Sequence, residues 1–214
     1  MGDDALAVDF SMLPLAWTAL GASTAALWIG AGAVAVGLAA GWRAAFVLGA
    51  LGIASGFGLT GHTQALENSG FAPAAAALHV LLAGFWIAAP LTLWPRPAIP
   101  DAALHARLER FSAIAVVAVP VLVVAGIWLA WTLAKGFSGL TGTAYGRLLL
   151  FKLGVVSVAL GLGALNRQVI TARILHDPDA GQRLLRLSLS GETIVFAAAI
   201  LAVSAATTFV GAGE

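Results

Sequence analysis

Uninterrupted apolar runs of about 20 residues leave a chain few folds, because a run of that length crosses the hydrocarbon core of a bilayer as a helix. Six such runs occur here, at 13–40, 44–61, 74–94, 111–134, 145–165 and 187–210, with ends good to about 2–4 residues. The first is longer than a crossing needs and accommodates by tilting or projecting. Lipid supplies no partner for backbone N–H and C=O groups, so only helices and closed barrels span it. The runs are continuous rather than alternating, which selects helices. The expected fold is therefore all-α: a polytopic membrane helix bundle with six transmembrane helices, in a single transmembrane domain covering 1–214. No soluble domain fits in the connections, and no internal repeat stands out.

Composition supports this reading. Charged residues make up 10% of the chain, against roughly 25% in a soluble domain, and the mean hydropathy is +0.96. So few charges do not cover a water-facing surface. The start, Met1-Gly2-Asp3-Asp4, is acidic. It lacks the positive region and small-residue cleavage site of a secretory signal, so the first run is expected to be a true span. The formal net charge of +1 gives no reason to expect a nucleic-acid partner. Cys is absent and Met occurs only at 1 and 12. That excludes disulfides, thiolate metal sites, thiol nucleophiles and a Met-rich metal relay.

The placement of charge gives an orientation. Arg43, Arg96, Arg107, Arg110, Arg167, Arg173, Arg183 and Arg186, eight of the 11 basic residues, fall in connections on one side. Lys135 and Arg147 fall on the other, and Lys152 lies within a span. The positive-inside rule places the eight in the cytoplasm. Both termini, and the 62–79 connection between the second and third spans, then face the periplasm of a bacterium. Pro73 suits the first turn of the third span, and Arg96-Pro97-Ala98-Ile99-Pro100 breaks the chain after it. Residues 103–110 read as a short amphipathic cytoplasmic helix leading into the fourth span, where Pro120 is expected to introduce a kink. Gly52 and Gly56 form a small-residue pair in the second span that lets another helix approach closely.

The candidate chemistry lies in a few polar residues. His62 ends the second span and His79 sits about one and a half turns into the third, so both imidazoles fall near the outer boundary. Two neutral imidazoles bind a transition ion, and nitrogen suits copper. Cu(I) is content with two ligands, whereas structural zinc takes four. A two-ligand site also lets an ion leave again. Trp86 follows His79 by seven residues, on the same helix face. Against this stands the plain alternative of two interfacial histidines bonded to backbone or water. Gln64 and Glu67 in the same loop either recruit a hydrated cation or are simply solvated. His105 and His176 lie in cytoplasmic segments, as metal acceptors or as solvated residues.

Lys152 and Glu192 lie inside spans at different depths, so a direct pair between them is not expected. Glu192 matches Asn166 and Arg167 in depth, and also Arg110. Structural pairing that sets helix register is the favoured role for Glu192; for Lys152 a cation path and a structural role stand level. No nucleophile–base pair, phosphate loop or paired-carboxylate site is present, so the chain is not expected to be an enzyme.

Several stretches of the second half together resemble a known family. They are Arg110-Phe111-Ser112, Ala125-Gly126-Ile127, the run from Thr143 to Lys152 with its Tyr145-Gly146-x-Leu148-Leu149-x-x-Lys152 pattern, Gly163-Ala164-Leu165-Asn166-Arg167, Leu184-Leu185-Arg186-Leu187-Ser188, and Glu192. With His79, Gly84-Phe85-Trp86 and Gly61-His62, the stretch over about 62–210 resembles the copper resistance protein D (CopD) family of bacterial inner-membrane proteins. The resemblance implies copper handling across the inner membrane beside a periplasmic CopC-type copper-binding protein. Many members have about eight spans or a fused CopC domain, and this chain departs from them in having six spans and no fused domain. The leading expectation is a copper transport or homeostasis protein that takes copper ion, as Cu(I), at His62 and His79. Two alternatives are weighed: a redox protein with haem b between the two histidines, and a copper-binding assembly partner without transport. Homo-oligomerisation is left open.

Overall fold

The computed structural model describes residues 13–59, 70–134 and 136–209. Every regular element in them is helical. The chain runs through α1 (Leu13–Ala40), α2 (Arg43–Gly58), α3 (Ala72–Ile87), α4 (Ala89–Thr92), α5 (Asp101–Leu133), α6 (Phe137–Gly142) and α7 (Ala144–Leu165). A π-helical segment, Asn166–Ile170, then leads into α8 (Thr171–His176) and α9 (Pro178–Phe209). Among the described residues five stretches are long and apolar enough to cross a membrane: Gly21–Ala40, Ala72–Thr92, Asp101–Leu133, Gly146–His176 and Pro178–Leu201. The second expected span forms a helix, α2, of 16 residues. At 1.5 Å per residue that is about 24 Å, short of the roughly 30 Å hydrocarbon core. The exposure pattern is that of lipid contact rather than water contact. Trp28 is 75% exposed, Leu91 74% and Ile194 70%, which in water would expose a large apolar surface. The chain is a multi-pass membrane protein.

The contacts group into two compact units, Met1–Leu81 and Leu82–Glu214. In the first, α1 and α2 are joined by a turn at Gly41, whose φ of 67° lies in the left-handed region that suits glycine. The two helices meet through small residues. A Cβ added to Gly49 would lie 2.6 Å from the Gly30 carbonyl oxygen, and one added to Gly30 would lie 2.7 Å from that of Gly49. Gly52 and Gly56, the pair expected to admit a neighbour, face Gly30 and Leu27 of α1. Backbone in contact with backbone leaves no side chain to yield. Gly49→Ala is therefore expected to destabilise the first unit by about 1–3 kcal/mol, the usual range for overpacking. Gly32→Ala, with nothing within 4 Å of its added Cβ, is expected to be neutral or slightly stabilising through helix propensity. Thermal unfolding in micelles separates the two; equal losses would contradict this packing.

In the second unit the basic segments are helical. Residues 103–110, expected as a separate amphipathic helix, are the first turns of α5, which runs unbroken for 33 residues. That is about 50 Å, so α5 projects well beyond a bilayer core. Asp101 in its first turn accepts a hydrogen bond from Gln182 Nε2 of α9 at 2.7 Å, which ties the projecting ends together. Pro120 lies inside α5 and the helix continues through it. The unit has two apolar clusters. One gathers Leu93, Leu104, Leu108, Ile174, Leu185 and Leu189 at the end rich in arginine. The other gathers Trp86, Leu122, Ala159 and Phe196, with the Trp86 and Phe196 rings edge to face at 5.5 Å.

Candidate functional site: a buried acid in an intramembrane cavity

Where the two clusters adjoin, a cavity of about 550 Å³ opens. Its wall is mostly apolar: Trp86, Leu93 and Leu108, then Phe111, Val119 and Leu160. The polar groups on it are Ser112 from α5, Asn166, Arg167 and Gln168 from the π-helical segment, Thr171 from α8 and Glu192 from α9. Glu192 is 2% exposed. Its Oε1 accepts a hydrogen bond from Asn166 Nδ2 at 2.6 Å.

Local structure explains how Asn166 comes to point there. After Leu165 the helix takes an extra residue into its turn, and the Thr171 N–H donates to the Asn166 carbonyl oxygen in an i→i+5 bond. The Thr171 hydroxyl donates to the same oxygen at 2.8 Å. Such single π turns within helices occur frequently at functional sites. Thr171→Val keeps the shape and removes the second donor. It is expected to cost about 0.5–1.5 kcal/mol and to loosen the segment, seen as faster hydrogen exchange at residues 166–171. Unchanged exchange would show that the hydroxyl does not hold the bulge.

Among the described residues two buried polar atoms have no partner: Asn166 Oδ1 and Ser188 Oγ. Ser188 lies one turn before Glu192 on α9.

The expected residues fall as follows. Asn166 and Glu192 come together, as their matched depth suggested, and Arg167 lines the same cavity from an exposed position. Arg110 is exposed and does not line it. Lys152 is half-buried on α7. It lies fourteen residues before Asn166, or about 21 Å along a helix axis, which accounts for the absence of a Lys152–Glu192 pair. His79 is half-buried on α3, while His62 lies outside the described residues, as do Gln64 and Glu67. His105 Nδ1 stands 3.7 Å from Glu109 Oε2 one turn away, and His176 is exposed. Among the described residues no group of three or more His, Cys, Asp or Glu is gathered to hold a metal. Gln168 and Thr171 carried no signal in the sequence. Thr171 reaches Asn166 at a spacing of five, which a 3.6-residue period does not pair.

The family model for copper resistance protein D (CopD) matches residues 105–206. Over that segment the chain is similar to the CopD family. The matched CopD segment contains α7, the π turn and Glu192, and most of the cavity wall. No curated protein and no solved structure matches the chain. The CopD match agrees with the family resemblance read from Tyr145-Gly146 through Glu192.

Proposed function

We propose that this chain transports copper across, or regulates it at, the bacterial inner membrane. Copper, as Cu(I), is taken at His62 and His79 on the periplasmic face, delivered by a CopC-type periplasmic protein, and passed inward. Six spans with both termini in the periplasm follow from the same reading, with α2 as the short second span. The protein acts as a carrier and not as an enzyme.

The observation that carries this reading is the CopD match over 105–206. Three features support it further. The basic residues gather on the projecting ends of α5, α8 and α9, as the positive-inside rule asks of a cytoplasmic face. The only thioethers are Met1 and Met12 and there is no thiol, so imidazole is the ligand available to copper at the opposite face. The five long apolar helices among the described residues supply the membrane-crossing body that a carrier needs.

Copper binding to purified protein, with wild type beside His62→Ala/His79→Ala, tests the site. A cheaper measurement tests the choice of copper over haem. The absorption spectrum of protein purified from cells supplied with both is expected to lack a Soret band, and a stoichiometric Soret band would overturn the copper reading.

A further inference from the structure

We infer that Glu192 and Asn166 form the core of an intramembrane site for a hard cation, a proton or an alkali ion, distinct from the copper site. This geometry is the same whether or not copper is the cargo.

A carboxylate removed from water loses several kcal/mol of solvation and regains it only through a cation or a full set of donors. Glu192 is 2% exposed, and among the described residues its one side-chain donor is Asn166 Nδ2. Among the described residues it has no ion pair. Charged groups on the elements packed around it do not fill the gap. Arg167 lines the cavity but is exposed and forms no bridge to it. Lys152 lies about 21 Å away along α7. Arg173 stands 3.8 Å from Asp177, and Arg107, Arg110, Arg147 and His176 are exposed and do not line the cavity. A bound proton or cation supplies what the protein does not.

The donor set selects the class of cation. The groups on this wall able to ligate a cation do so through oxygen: the Glu192 carboxylate, Asn166 Oδ1, which is buried without a partner, and the Ser112, Gln168 and Thr171 side-chain oxygens; amide and guanidinium nitrogens there are donors and do not ligate. Carboxylate, carbonyl and hydroxyl oxygens suit hard ions, whereas Cu(I) prefers sulfur or imidazole. Size agrees. At about 30 Å³ per water, the cavity of about 550 Å³ admits a hydrated ion with solvent to spare. Apolar walls from Trp86 and Phe111 raise the cost of any unneutralised charge.

Difference infrared spectroscopy on the full chain in nanodiscs, in choline buffer, tests this directly. One arm follows pH. If the ligand is a proton, a protonated-acid carbonyl band is present near neutrality, disappears in Glu192→Gln, and moves in Glu192→Asp. The other arm adds NaCl or KCl. If the ligand is an alkali ion, the wild-type carboxylate bands shift and thermal stability rises, and both responses are lost in Glu192→Gln. Should that variant fail to fold, the Glu192→Asp displacement and the wild-type salt response still decide. An ionised Glu192 that ignores both pH near neutrality and salt overturns the inference, and so does a Glu192 band that responds to Cu(I) alone. Copper stoichiometry is measured on the same samples. It is expected to be unchanged in Glu192→Gln, so failure of this site and failure of the histidine site are read separately.

Discussion

His62→Ala/His79→Ala is expected to lower copper affinity by at least about 100-fold and to remove the ion bound at the outer face. Outer-shell changes that leave every ligand in place already cost about 10–100-fold in metal affinity. Removing both nitrogen ligands exceeds that. The chain offers little to replace them, since Cys is absent, the thioethers are Met1 and Met12, and the other histidines are His105 and His176. His105 stands beside Glu109 in the arginine-rich first part of α5, and His176 closes α8. Both belong to the cytoplasmic side in the proposed orientation. Competition titration with a chelator of known copper affinity measures the loss. Each single variant is expected to weaken binding strongly, because a two-coordinate ion retains only one protein ligand. Unchanged affinity and stoichiometry in the double variant would remove His62 and His79 from the proposal.

The second large effect concerns the buried acid. Asn166→Leu removes the donor to Glu192 at nearly constant volume. It is expected to destabilise the second unit by about 1.5–3 kcal/mol, the range for a hydrogen bond to a charged group. Glu192→Leu in the same chain is expected to restore most of that loss, because replacing both partners of a buried polar pair by apolar groups is often neutral or better. The signature is thus non-additivity: the double variant is more stable than Asn166→Leu alone. Chemical unfolding in micelles, monitored by tryptophan fluorescence, reads all three variants, since Trp86 lines the same cavity. Additive losses would show that Asn166 and Glu192 do not act on each other. The stabilised double variant is expected to lose the response to salt or pH assigned to Glu192, which separates stability from cation binding.

Much of the fold is legible in the sequence, because lipid imposes one simple rule, continuous apolarity over a span. The 13–40 run is α1 to the residue, and the run 145–165 is α7 within one residue. Arginine misleads at the ends of runs. Residues 103–110 and 178–186 carry charge, so the first reads as a short amphipathic helix before its span and the second as part of a connection. Yet they continue α5 and α9 as helix, because Leu104, Leu108 and Leu185 bury one face against the apolar cluster there. The Asn166–Glu192 bond was legible through matched depth, which two antiparallel spans convert into proximity. The π turn was not, since it is a local insertion that leaves composition and hydropathy unchanged. Nor was the cavity, which arises where two side-chain clusters from α3, α5, α7 and α9 fail to meet. The small-residue face of α2 was legible at Gly52 and Gly56, though Gly49 and Gly30 approach more closely than either.

Copper flux tests the central proposal most directly. Purified protein reconstituted in proteoliposomes, loaded with a copper-sensitive indicator and given external Cu(I), is expected to admit copper well above empty liposomes. His62→Ala/His79→Ala is expected to fall to the empty-liposome rate. Wild-type protein that binds copper but passes none, beside an active transporter control, would contradict transport and leave copper binding without translocation.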